Sequence, residues 1–263
     1  MEELIEKTAQ HLAKSQYAVA LTGAGISTES GIPDYRGPNG VWVKNPEEER
    51  KAYLIYDLFR RNPEAYWQEN LENPRFKGML EMKPNPGHYA LVELEEMGIL
   101  KAIVTQNIDN LHAKAGSRKV LDYHGNLAKL RCENCQNRYP VEEFDLKKII
   151  YQERKIPLCR NCGYPLKSDV VYFGEPIPED VASLSLEEAQ KCDVMLICGT
   201  SATVYPFASL PFSARNRPGV IIIEVNAEST PLTRNKISNY LIKGKTGEIL
   251  PQIVKRVKEL KKN

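Results

Sequence analysis

The stretch Ala20-Leu21-Thr22-Gly23-Ala24-Gly25-Ile26-Ser27 decides the fold. Residues 17–22 form a short apolar run of strand length, and it ends in a glycine-rich turn. A strand feeding such a turn brings backbone N–H groups close to a pyrophosphate, as in dinucleotide-binding α/β domains. The generic fingerprint is then incomplete. Its third glycine falls at position 28, which is Thr28, and no second strand ending in an acidic residue follows at the usual distance. Alone, the turn is as compatible with a tight reversal as with a cofactor site. The continuation favours the cofactor: Thr28-Glu29-Ser30-Gly31-Ile32-Pro33-Asp34-Tyr35-Arg36-Gly37 supplies a carboxylate, an aromatic ring and a guanidinium on a glycine-punctuated loop. A guanidinium suits a pyrophosphate, and such a loop can close over a ligand.

Outward from this turn, residues 101–105, 193–198, 220–226 and 240–243 read as further strands, apolar on both faces and so covered by helices on both sides. Helical periodicity occupies 2–15, 87–97, 179–190, 204–216 and 247–260. The alternation predicts a doubly wound parallel sheet, a Rossmann-like α/β domain. Two stretches interrupt it. Residues 46–80 are charged and aromatic, with Pro46, Pro63 and Pro74 at segment boundaries, and predict a helical insert. Residues 131–170 hold the paired cysteines with little apolar periodicity and predict a small metal lobe. The expected partition is a large domain from 1–45, 81–130 and 171–263, carrying these two insertions.

Bulk properties narrow the function. Lys and Arg number 36 against 34 Asp and Glu, a net charge of +2, so no global field calls for nucleic acid or a membrane surface. The basic tail from Lys255 to Lys262 fits cations at a helix C-terminus. The N-terminal Met1-Glu2-Glu3-Leu4-Ile5-Glu6 lacks the basic start and apolar run of a signal peptide, and no run approaches the ~18 apolar residues of a membrane span. Six cysteines, four of them in paired knuckles, suit a reducing compartment. A cytoplasmic, soluble protein is the expectation.

The knuckles read Cys132-x2-Cys135-x23-Cys159-x2-Cys162. Four thiolates make a closed tetrahedral Zn²⁺ site with no position for substrate, so the metal is structural and replaces the core a short lobe lacks. A nucleic-acid-reading zinc ribbon is the alternative. Cys192 and Cys198 fall in or beside a buried strand and read as core. Three strand ends carry polar residues: Thr105-Gln106-Asn107-Ile108-Asp109, Gly199-Thr200-Ser201 and Val225-Asn226-Ala227-Glu228. In open α/β sheets ligands bind at that edge, although turn capping by Asn and Asp is the plainer role for each segment alone. Among four histidines, His11, His88 and His112 read as structural, capping or exposed. His124, in Tyr123-His124-Gly125-Asn126 just before the lobe, stands where a cleft would lie and is a candidate base.

These stretches, with Val171-Tyr172-Phe173-Gly174-Glu175 and Val204, resemble the sirtuins, the NAD-dependent protein deacylases, along nearly the whole chain. The resemblance implies that Gly23, Ala24, Gly25 and Ser27 line the NAD site, with Asp34, Tyr35 and Arg36 on its loop. It implies that Gln106, Asn107, Ile108 and Asp109 hold the nicotinamide and its ribose, and that Gly199, Thr200, Ser201, Asn226, Glu228 and Thr246 contact the phosphates and adenosine. His124 would be the general base, with Asn107 and Asp109 assisting nicotinamide loss. An acyl-lysine peptide or protein would add as a strand beside Phe173, Gly174 and Glu175, its acyl chain entering a tunnel lined by Tyr35, Val171 and Phe173.

The implied reaction is loss of nicotinamide, attack of the acyl oxygen on the ribose, proton removal by His124, and release of free lysine and O-acyl-ADP-ribose. Mono-ADP-ribosyl transfer and non-catalytic binding of NAD or acyl-peptide are the alternatives; chromatin-type basic proteins are an expected partner class by analogy. The chain departs from the usual pattern at Thr28, at Tyr35 where phenylalanine is usual, and at Asn110. A tyrosine–arginine pair for acidic acyl groups is replaced by Asn70 and Asn73, so a neutral acyl group is expected.

Overall fold

The computed structural model describes residues 1–35, 37 and 40–262, excluding the side chains of residues 74–77. Five predicted strands are present as β1 (Ala18–Thr22), β2 (Leu100–Thr105), β7 (Val194–Cys198), β8 (Ile221–Asn226) and β9 (Tyr240–Lys243). A sixth, β3 (Val120–Asp122), was not foreseen; it is three residues long and only half-buried, so it leaves no apolar run to read. All six pair in parallel in the order β3-β2-β1-β7-β8-β9. The order reverses at β1, so a crevice opens where β1 and β7 end together, Thr22 beside Cys198.

Both faces of the sheet are covered, as unbroken apolar strands require. Along β1, Ala18 and Ala20 point into one core and Val19 and Leu21 into the other. The first core is closed by α1 (Glu2–Lys14), α7 (Pro86–Glu96) and α12 (Thr246–Leu260); the second by α9 (Glu179–Lys191) and α10 (Leu210–Arg215). The helix predicted over 204–216 is shorter than expected. A 3₁₀ turn at Phe207–Ser209 precedes α10, because Pro206 biases Tyr205 away from helical backbone and donates no N–H itself.

Between β1 and β2 come α2 (Val41–Lys44), α3 (Pro46–Ala52), α4 (Ile55–Arg61), α5 (Pro63–Glu72) and α6 (Pro74–Glu81). Pro46, Pro63 and Pro74 each open a helix, where a missing N–H costs nothing. After β3 and the short α8 (Leu111–Ala115) before it, the chain builds a three-stranded antiparallel sheet, β5 (Arg138–Pro140), β4 (Lys129–Cys132) and β6 (Leu166–Ser168), in that spatial order. The two insertions share a third core: Phe59, Tyr66, Trp67 and Met79 from the helices pack with Leu130, Cys132, Ile150 and Leu166 from the lobe. Trp67 Nε1 donates to Leu166 O at 2.8 Å, and Ser168 N to the Tyr66 hydroxyl at 3.1 Å. No helix among the described residues is long and apolar enough to cross a membrane.

Candidate active site

The glycine-rich turn is built by close backbone approach. Gly25 N donates to Gly199 O at 2.8 Å. A Cβ on Gly25 would stand 2.7 Å from that oxygen, and Gly199 itself has φ +61, so both positions need glycine. The segment Ala24–Ser30 that follows winds as a 3₁₀ turn, anchored by Asn85 at the N-cap of α7: its Nδ2 donates to Ile26 O (2.7 Å) and Ser30 Oγ (3.0 Å). Glu29 accepts from Gly247 N at 2.7 Å and fixes the turn to the start of α12, where Thr246 is buried.

Asn107 and Asp109 leave β2 and are both buried. Ser27 Oγ donates to Asp109 Oδ2 at 2.7 Å, and Leu111 N to Oδ1 at 2.9 Å. Asn107 Nδ2 reaches Gly23 O and Ser27 Oγ, both at 3.1 Å. Burial raises the Asp109 carboxyl above its ordinary value, opposed by the bonds from Ser27 and Leu111. These side chains lie in a small cleft lined by Ala24, Ser27, Ile32, Tyr35, Met79, Asn107, Ile108 and Asp109. Its lining sets the polar groups of Ser27, Asn107 and Asp109 beside apolar Ala24, Ile32, Met79 and Ile108.

Alongside, Gln106 Nε2 donates to Thr200 Oγ1 at 2.6 Å and Asn226 Nδ2 to Thr200 O at 3.4 Å, joining the ends of β2, β7 and β8. Ser201 pairs with Thr203 at 3.0 Å, and Glu228 stands exposed beyond β8. Asp34 accepts from Gly37 N at 3.1 Å; Arg36 lies outside the described residues.

His124 is half-buried, its ring centroid 5.6 Å from Tyr123 and 6.3 Å from Phe207. Burial lowers its pKa to about 4, partly offset by a hydrogen bond to the Gln106 backbone. It is therefore neutral at pH 7, with one ring nitrogen oriented by that bond. Its own carbonyl accepts from Val171 N at 2.8 Å, which sets the base beside the segment carrying Phe173. Gly125 permits this junction: φ is +75 and a Cβ would meet Asp169 O at 1.9 Å. Phe173 stacks on Tyr53 (4.3 Å) and meets Trp42 (5.7 Å), which meets Tyr35 (4.8 Å), an aromatic wall from the insert to the cleft.

Glu175 gives no side chain to the cleft. Its carboxylate turns into the lobe, where it accepts from Tyr172 N (3.0 Å), pairs with Lys167 (3.1 Å) and binds Arg131. The four cysteine sulfurs lie within 4.8 Å of one another, Cys132 to Cys162 at 3.4 Å and Cys135 to Cys159 at 3.5 Å. Four thiolates at that spacing fit the tetrahedral environment of a zinc ion with Zn–S bonds of ~2.3 Å.

A Sir2-family profile matches residues 23–206, spanning the glycine turn, the cysteine lobe and the base. This chain belongs to the Sir2 family. The sirtuin is 47% identical over 262 residues to the NAD-dependent protein deacylase 2 of Archaeoglobus fulgidus, covering 99% of each chain. It is 42% identical over 257 residues to the NAD-dependent protein deacylase of Thermococcus kodakarensis, covering 98% of this chain and 97% of the other. A Sir2 homologue solved with NAD superposes with a TM-score of 0.79 at 39% identity, over 97% of this chain and 94% of that one. Sir2Af2 solved with a myristoylated histone peptide gives 0.69 at 41% identity, over 100% and 99%. Like its relatives, the sirtuin is an NAD-dependent deacylase, releasing nicotinamide and transferring the acyl group to ADP-ribose. Residues that its sequence did not assign to the site include Met79, which lies in an insert without a motif, and Asn85, whose place before Pro86 is an N-cap signature.

Proposed function

We propose that the polar floor Ser27–Asn107–Asp109 receives the nicotinamide end of NAD and that His124 acts as the base in removing acetyl or another neutral acyl group from protein lysine. The observation that carries this reading is the Ser27–Asp109 hydrogen bond of 2.7 Å, joined by Asn107 Nδ2 to Ser27 Oγ at 3.1 Å, in a cleft whose other walls include Ile32, Met79 and Ile108. NAD supplies the leaving group and the sugar that accepts the acyl group. Asn107 and Asp109 orient the carboxamide and keep water away from the bond that breaks. Gln106, Thr200, Ser201 and Asn226 line the route toward the phosphates and adenosine, with Glu228 and Thr246 at its far end. His124 takes the ribose hydroxyl proton. The peptide pairs through its backbone beside Phe173 and Gly174, and Asn70 and Asn73 offer no cation for an acidic acyl group.

The working partition is the same as that expected from the sequence: an NAD-binding domain of 1–45, 81–130 and 171–263, a helical insert of 46–80 and a zinc lobe of 131–170. Chromatin-type basic proteins fit as substrates, supported by the histone peptide carried by the Sir2Af2 relative. A cytoplasmic site of action without direct nucleic-acid binding is part of the same reading, supported by the paired cysteine knuckles and the balanced charge. The test is nicotinamide release from NAD with and without an acetyl-lysine peptide, with mass analysis of the peptide. Peptide-dependent release with loss of the acetyl group supports the reading. Release with the acetyl group retained points to ADP-ribosyl transfer and overturns it.

A further inference from the structure

Two histidines outside the catalytic cleft are buried with one nitrogen each lacking a partner: His88 Nε2 and His112 Nδ1. Their ring centroids are 4.9 Å apart. The remaining nitrogens fix the protons. His88 Nδ1 accepts from Asn85 N at 3.3 Å in the capping box of α7, so its proton sits on Nε2. His112 Nε2 lies 2.9 Å from Thr22 Oγ1, and that hydroxyl donates to Thr105 Oγ1 at 2.8 Å. A hydroxyl has one proton, so His112 Nε2 must be the donor to Thr22 and its Nδ1 is bare. Burial lowers both pKa values, His88 to about 4, and keeps both rings neutral.

The chain of bonds continues to the site. Thr105 Oγ1 also accepts from Asn107 N at 3.0 Å. We propose that His112 is a positioning residue for Asn107: its Nε2–H, given to Thr22, leaves the Thr22 hydroxyl proton for Thr105 and so fixes the oxygen that receives Asn107 N–H. With the opposite tautomer, His112 Nε2 would be an acceptor, and the Thr22 hydroxyl would turn from Thr105 to His112. Asn107 N–H would then bond to a threonine oxygen whose own proton and lone pairs are no longer fixed. The pair also joins the two walls of the cleft, since Asn85, which bonds to His88, anchors the Ala24–Ser30 turn. The effect on catalysis rests on the placement of Asn107 at the nicotinamide end; the tautomer does not.

Long-range proton–nitrogen correlation spectra of protein labelled with ¹⁵N-histidine test the tautomer directly. The expected result is Nε2 protonation of both His88 and His112 with slow exchange; protonation of His112 at Nδ1 overturns the proposal. For function, His112→Phe fills the space without donating, whereas His112→Gln carries an amide that can donate to Thr22. His112→Phe is expected to lower the kcat of nicotinamide release about tenfold at unchanged peptide KM, with most of the loss recovered in His112→Gln. A parallel rise in peptide KM, with no recovery in the glutamine variant, reduces His112 to packing and overturns the positioning role. Correct tautomers with that kinetic result would place the error in the role given to Asn107.

Discussion

His124 shows how an environment selects a role. Its desolvation holds the imidazole neutral, with a pKa of about 4 in place of the usual 6.5. The acid limb of kcat/KM should therefore lie well below pH 6.5; a limb at 6.5 or above in a pH–rate profile would contradict the burial argument. An His124→Ala variant should still exchange free nicotinamide into NAD yet form no deacylated peptide, which separates the base from the earlier bond cleavage. His88 carries a stability consequence with a definite sign. Its folded pKa, about 4, lies below the unfolded value, so the unfolded chain binds the proton first. Its contribution is complete above pH 6.5 and is lost as pH falls through 4, on the order of about 3 kcal/mol. Thermal melts across that window should show Tm falling, and His88→Asn should flatten the slope.

At the scale of elements, Glu175 is the instructive case. In sequence it belongs to a Phe-Gly-Glu stretch placed at the peptide, and in the fold its carboxylate is a buried anchor between Arg131 on β4 and Lys167 on β6. The charges around it are matched: Asp169 pairs with Arg131 and Arg138, and Arg138 with Asp180 at 2.7 Å. Glu175→Ala should cost roughly 3–5 kcal/mol, because it leaves Lys167 buried without a carboxylate and Arg131 with Asp169 alone. It should raise peptide KM more than NAD KM, since the same carboxylate holds the turn that presents Phe173. The strands and helices of the sheet domain were legible because their apolar runs and caps are local properties. The strand β3 was not, since three half-buried residues carry no pattern, and the direction of the Glu175 side chain depends on partners far away in sequence. The same holds for Met79, which reaches the cleft only through the fold of the insert. The polar floor was legible residue by residue, but its bond from Ser27 to Asp109 joins segments that only the sheet brings together.

For the molecule as a whole, the third core makes the two insertions one body. Removing the metal with a chelator should therefore disturb more than the cysteine loops. Hydrogen exchange should quicken across β4, β5 and β6 and in α5, which bonds to β6, while β1, β7 and β8 stay protected by the cores on either face of the sheet. Uniform exchange across the protein would argue against a separate second body. The central pairing of the large sheet has another consequence. β1 lies between β2 and β7, and Thr22, paired on one side with Thr105, finds its partner on the other side at Cys198, after both insertions have been made. A chain leaving the ribosome can close the antiparallel lobe from near neighbours, with Lys129 to Ser168 already out. It must hold β1 with one side open until the last third emerges, because parallel pairing across such a span is slow. The part that binds metal can thus be finished well before the part that binds the dinucleotide exists.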